Sequence, residues 1–231
     1  MSVDTKFKEK RGRIMAYLRS DFRHDSTIPR PFVFEFNGPP HSGKTTTIIE
    51  LDKFLRRQGF RVLRPQESGE AIRHIDRSVP VYNIRTGLYT LTHLLDHVHD
   101  HSYDVIIYDR GIFDAYCWMS YWEEKGKITK KQMDIVQNFF FLDLWLKEID
   151  RAYFMVCDSQ KARKRELDTS LSKKLDTKNI ETVKLYRKTY DNLSKTFPQL
   201  KLIDTSNLNK KEVAEKIALD LLGVMEHKSE K

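Results

Sequence analysis

A chain of 231 residues with 39% hydrophobic content can bury one sizeable core, at the upper end of single-domain lengths. Its formal charge of +8 suits polyanionic ligands, nucleotides and nucleic acid alike, and no run approaches the roughly 18 apolar residues that would span a bilayer. The first thirty residues lack a secretory apolar stretch, and Cys117 and Cys157 have no metal-ligand or redox spacing, so the sequence reads as a cytoplasmic protein with reduced core thiols and no membrane partner.

Residues 1–30 carry eight Lys/Arg against four Asp/Glu, and Phe7, Ile14, Tyr17 and Leu18 can form one apolar face of a helix. They read as a basic amphipathic N-terminal extension able to hold a nucleic-acid backbone. Pro29 and Pro31 stop any helix, and the globular domain, 31–231, opens with the apolar run 32–36. Further apolar runs at 60–63, 105–108, 153–157 and 200–203 alternate with amphipathic stretches at 45–57, 84–99, 130–147, 161–171 and 179–195. That alternation predicts an α/β three-layer sandwich: a five-stranded, mostly parallel sheet with helices on both faces.

The segment Gly38-Pro39-Pro40-His41-Ser42-Gly43-Lys44-Thr45 fits the pattern G-x-x-x-x-G-K-[ST], between a predicted strand and a predicted helix. Backbone N–H groups wrap phosphate only where a Cβ would not collide, and the helix that follows points its positive end at the anion. His41, Ser42 and Gly43 sit within the loop that cradles phosphate. Lys44 is placed to reach the β- and γ-phosphates of ATP, Thr45 to ligate Mg²⁺ and Thr46 to meet the α-phosphate. The buried-strand run 103–108 ends at Asp109-Arg110-Gly111, at the carboxyl end where ligands bind in open α/β sheets. Asp109 can hold the metal, and Arg110 can clamp an acceptor phosphate or the transferring group; a plain salt bridge is the alternative.

With this P-loop NTPase pattern, the Asp-Arg pair, and the later Leu185-Tyr186-Arg187-Lys188-Thr189-Tyr190, Phe197-Pro198 and Leu202-Ile203-Asp204-Thr205, residues 32–222 resemble thymidylate kinase and its deoxynucleoside kinase relatives. The resemblance implies phosphoryl transfer from ATP to a nucleotide or nucleoside acceptor. It also implies a lid over about 161–178, with Arg163 or Arg165 contacting phosphate and Arg165 the better aligned. Residues 161–188 hold ten Lys/Arg and four Asp/Glu, which suits closure over a triphosphate as well as it suits a solvated basic helix. Leu63-Arg64-Pro65-Gln66-Glu67 matches the family's acceptor loop imperfectly, which makes Glu67 and Arg73 acceptor-binding candidates.

Two departures bear on the acceptor. Asn37 stands where the family usually carries a glutamate before the first P-loop glycine, and Glu35 lies on the same strand face but farther from the phosphates. Asp114 stands where thymidylate kinases typically show serine, and a carboxylate there could take a proton from a hydroxyl acceptor. The aromatic series Tyr116, Trp118, Tyr121 and Trp122 offers rings to stack on a nucleobase or to fill the core, with Tyr116 the substrate-binding candidate. His93, His97 and His101 recur at helical spacing, but three successive turns do not converge on one tetrahedral ion. Phe139-Phe140-Phe141 with Leu142, Leu144, Trp145 and Leu146 predicts a helix apolar nearly all round, covered by a second subunit of a homodimer. Two other functions fit the same donor site: a kinase for another hydroxyl compound, and a non-catalytic nucleotide-binding regulator.

Overall fold

The computed structural model describes residues 3–19, 31–158, 161 and 177–229. Strands β1 (Phe32–Asn37), β2 (Val62–Leu63), β3 (Val105–Asp109), β4 (Arg151–Val156) and β5 (Leu200–Asp204) form a parallel sheet in the order β2-β3-β1-β4-β5. The helices are α1 (Val3–Arg19), α2 (Lys44–Arg57), α3 (Ser68–Ala71), α4 (Pro80–His97), α5 (Ile112–Glu124), α6 (Lys130–Phe140), α7 (Asp143–Leu146), α8 (Thr177–Leu193) and α9 (Lys210–Ser229). This is the three-layer α/β sandwich of a P-loop NTPase, and the ends of β1 and β3 lie side by side, with Phe36 opposite Asp109.

The period-2 geometry of the strands splits the core in two. Phe32, Phe34 and Phe36 of β1, with Val105, Ile107, Tyr153, Met155 and Ile203, pack under α1, α2 and α9. Val33, Ile106, Tyr108, Ala152, Phe154 and Val156 face the other way, under α4 to α8. Glu35 belongs to this second face, a buried carboxylate amid apolar side chains.

Helix α1 is built into the first of these layers. Phe7 and Ile14 are fully buried, and the Phe7 ring meets Phe54 of α2 edge-on at 4.7 Å. Lys10 and Arg13 pair with Glu226 of α9. The amphipathic face expected in the extension is thus a core face, and part of its positive charge is matched within the chain.

The single helix expected over 130–147 is two. Thr129 and Gln132 close a capping box at the start of α6, the chain turns at Phe141 and Leu142, and the indole of Trp145 donates to the Phe140 carbonyl at 2.9 Å across the break. The turn buries Phe140, Trp145 and Leu146 and leaves Phe139, Leu142 and Leu144 exposed. His93 and His97 stack at 5.9 Å, and no group of three metal-ligating side chains occurs among the described residues. No helix among them is long and apolar enough to cross a membrane.

Candidate functional site

The turn from β1 into α2 approaches β4 so closely that a Cβ on Gly38, whose φ is +144°, would stand 2.1 Å from the Met155 carbonyl oxygen. His41 is also in the left-handed region at φ 60°, as is Gly43 at φ 93°, the residue that opens α2. The loop folds around Lys44, whose ammonium donates to the carbonyls of Gly38 at 2.8 Å and Pro39 at 2.9 Å. Burial, aided by the nearby Arg110 cation, lowers its pKa to about 8 against the pull of Asp109, Asp114 and Glu67. An arriving anion would offset that penalty.

The Thr45 hydroxyl donates to Asp109 Oδ2 at 2.9 Å, which brings together two residues 64 apart in sequence. Asp109 Oδ1 and Ser42 Oγ are buried and have no hydrogen-bond partner among the described residues. The paired Thr45 hydroxyl and Asp109 carboxylate are hard oxygen donors of the kind a divalent cation takes, so the residues fit Mg²⁺. Thr46 lies on the outer side, where it lines a cavity of about 410 Å³ with His41, Ser42, Gly43, Thr205, Leu208 and Asn209.

Arg110 follows directly, in a left-handed backbone conformation (φ 67°) that costs a non-glycine residue on the order of 1–3 kcal/mol. Its N–H donates to the Phe36 carbonyl at 2.9 Å, and its own carbonyl accepts from Thr90 at 3.0 Å. The guanidinium donates to Asp114 Oδ1 at 3.0 Å and faces Glu67 Oε1 at 3.4 Å. The phenol of Tyr186 on α8 also donates to Asp114 Oδ1. Asp114 therefore has two donors on one oxygen, and its geometry is that of a group holding Arg110. Glu67 has its pKa raised, by burial first and by the Asp109 charge second.

Beneath this turn Glu35 accepts from the backbone N–H of Phe113 at 2.9 Å and of Ile112 at 3.2 Å, at the start of α5. A Cβ on Gly111 would stand 2.4 Å from the Glu35 carboxyl, so a side chain there would push the carboxyl from its place. Burial outweighs these bonds and raises the Glu35 pKa to about 7. Asn37 lies against Glu35 and favours its charged form, without the geometry of a hydrogen bond. Glu35 is thus committed to α5 rather than turned toward the phosphate loop.

Arg110, Asp114, Glu67 and Pro40 form one part of a pocket of about 190 Å³, completed by Gly69, Arg77, Tyr82, Asn83, Thr86, Trp118 and Thr182. Sequence reasoning missed Arg77, Tyr82, Asn83 and Thr86. One signal was available: Asn83, Thr86 and Thr90 recur on a single buried face of α4, a polar stripe where apolar residues are expected. Tyr116 is not in this pocket. Two residues on from Asp114 in a helix, it faces away and stacks on Phe141 at 4.2 Å. Arg73 is exposed, donates to the Glu70 carbonyl at 2.9 Å and does not line the pocket. Arg163 and Arg165, with nearly all of 161–178, lie outside the described residues.

No protein-family model and no curated protein sequence matches this chain. Solved structures do. A deoxyadenosine kinase from M. mycoides with bound dCTP is 19% identical, with a TM-score of 0.56 over 83% of this chain and 100% of that one. The same enzyme with its products dCMP and dCDP aligns at a TM-score of 0.60 and 18% identity, over the same shares of the two chains. The thymidylate kinase of Candida albicans is 13% identical, with a TM-score of 0.58 over 89% of this chain and 96% of that one. The chain has the fold that these kinases share.

Proposed function

We propose that this chain is a Mg²⁺- and ATP-dependent kinase that transfers the γ-phosphoryl group to a nucleotide or nucleoside. The observation that carries the reading is the pairing of Thr45 with Asp109 beside the buried Lys44, one residue before an arginine that faces a separate enclosed pocket. A donor site and an acceptor site meeting at one turn are what in-line transfer requires.

In this reading the backbone N–H groups of His41, Ser42 and Gly43 and the Lys44 ammonium hold the β- and γ-phosphates, with Thr46 at the α-phosphate; Pro39 and Pro40 have no N–H to offer. Thr45 and Asp109 would hold Mg²⁺, which would supply positive charge against the negative charge that builds during transfer. The cavity beside Thr205 and Asn209 takes the nucleoside end of ATP. Arg110 orients the acceptor's reacting oxygen, Asp114 and Tyr186 hold Arg110, and Glu67 sets the local charge. Arg163 and Arg165 keep their resemblance-based role of reaching the phosphates from a lid. Exposed Leu88, Leu95, Ile135, Phe139, Leu142 and Leu144, on α4, α6 and the α7 region, favour a homodimer joined through these helices.

Incubation of the chain with Mg²⁺-ATP and separate pools of nucleosides, nucleoside monophosphates and oligonucleotides, read by mass spectrometry, tests the reading. A phosphorylated nucleoside or nucleotide together with ADP is the expected outcome. Product from the oligonucleotides alone, or bound ATP with no product, would refute it.

A further inference from the structure

The phosphate loop is short of N–H groups, and the direction of one that it keeps is set from another strand. Peptide bonds among the described residues are trans, so the carbonyl of one residue and the N–H of the next point opposite ways. The Gly38-Pro39 and Pro39-Pro40 peptide groups have no N–H, and Lys44 takes both of their carbonyls. Sterics do not decide the orientation of the Ser42-Gly43 peptide, because Gly43, at φ 93°, accepts either sign of φ. A hydrogen bond decides it instead: the Ser42 carbonyl accepts from the Thr205 hydroxyl at 3.0 Å, between residues 163 apart in sequence. Thr205 follows β5 directly and is 1% exposed. Its N–H donates to the Val156 carbonyl at 2.8 Å and its carbonyl accepts from the Leu208 N–H at 3.4 Å, so the hydroxyl is presented from a fixed backbone. That hydroxyl also lies 3.2 Å from the Val156 carbonyl, which the Thr205 N–H already serves, and the Ser42 contact is the shorter of the two.

We propose that Thr205 is a positioning residue for the donor phosphates: by holding the Ser42 carbonyl toward β5, it keeps the Gly43 N–H turned into the phosphate cradle. This rests on the reading of the loop as the site of the ATP phosphates, given above. Without the hydroxyl, the peptide is free to turn over and aim a carbonyl oxygen at the phosphates, where two acceptors face each other. Binding must then restore the productive orientation, and that cost is taken from the affinity. With two peptide groups of the loop already lacking an N–H, the loss of a third is felt more strongly. Thr205 also lines, with Leu208 and Asn209, the cavity assigned to the nucleoside end of ATP, so one residue sets the register between the two ends of the donor.

Equilibrium binding of ATP and of inorganic tripolyphosphate to the full chain tests this without requiring turnover. Thr205→Val keeps the shape of the side chain and removes the hydroxyl. It weakens both ligands by about tenfold, because the defect lies in the loop that both of them use. Thr205→Ser returns the hydroxyl without the methyl group and binds both ligands as the unaltered chain does, a rescue that a packing defect would not show. Thr205→Ala replaces the valine variant if that one does not fold. Unchanged binding without the hydroxyl, a loss for ATP with none for tripolyphosphate, or a serine variant as weak as the valine one overturns the assignment. Binding of neither ligand by the unaltered chain refutes the phosphate-loop reading and the role of Thr205 with it. The expected losses in a chain that transfers no phosphoryl group would refute the kinase reading and leave Thr205 in place.

Discussion

The two halves of the proposed site, the phosphate side and the acceptor side, are built on different principles. The phosphate side is a backbone object: Gly38 and Gly43 set its path, and Lys44 closes it through main-chain carbonyls. The acceptor side is a side-chain object assembled from α3, α4, α5 and α8, in which Arg110, Asp114, Glu67 and Tyr186 share charge and protons. The first depends on two glycines, a lysine and a threonine at fixed spacing and the second on separate side chains, so donor chemistry should be constant while acceptor choice is open to change.

That contrast gives an order of sensitivity. Lys44→Ala should lower transfer by about 10²–10³-fold for every acceptor alike, with folding retained in a thermal melt. A loss confined to one acceptor would erase the distinction between the halves.

Glu35 ties the halves together, and its effect should depend on pH. Its folded pKa of about 7 lies above the ordinary 4.5, so the stability it contributes is full below pH 4.5 and is lost as pH rises through 7. Over that window the melting temperature of Glu35→Gln should rise relative to that of the unaltered chain, by the equivalent of about 3 kcal/mol. A difference that is flat with pH would mean that Glu35 is not buried against α5 as described.

Arg110→Lys keeps a cation but loses the planar fork, and should raise the acceptor KM by about 10–100-fold while the ATP KM stays nearly constant. Tyr186→Phe removes one donor from Asp114 and should raise the acceptor KM by roughly tenfold or less, again without a shift for ATP. Equal changes in both KM values would place Arg110 on the donor side.

The phosphate side was legible in the sequence because its requirements are local. Glycines that avoid a clash, a lysine and a hydroxyl at fixed spacing, and an aspartate at a strand end can all be read in order along the chain. The acceptor side was legible in part, at Arg110, Asp114, Glu67 and Trp118. Asn83 and Thr86 belong to no motif, and Asn83 meets its partner Trp122 only through folding. Even Asp114 was visible as a carboxylate but not as a partner of Tyr186, 72 residues away. Tyr116 shows the opposite failure: an aromatic near the motif that helical periodicity turns to the far side. Helix α1 reads as a basic appendage until the burial of Phe7 and Ile14 is seen.

The most direct test of the account is a single turnover with ATP labelled in its γ-phosphoryl group, in the presence of Mg²⁺ and mixed nucleosides and nucleoside monophosphates. The account predicts that the label leaves ATP and appears in a phosphorylated nucleoside or nucleotide, and that omission of Mg²⁺ prevents this. Label released only as inorganic phosphate, or retained in ATP while ATP is bound, would contradict it.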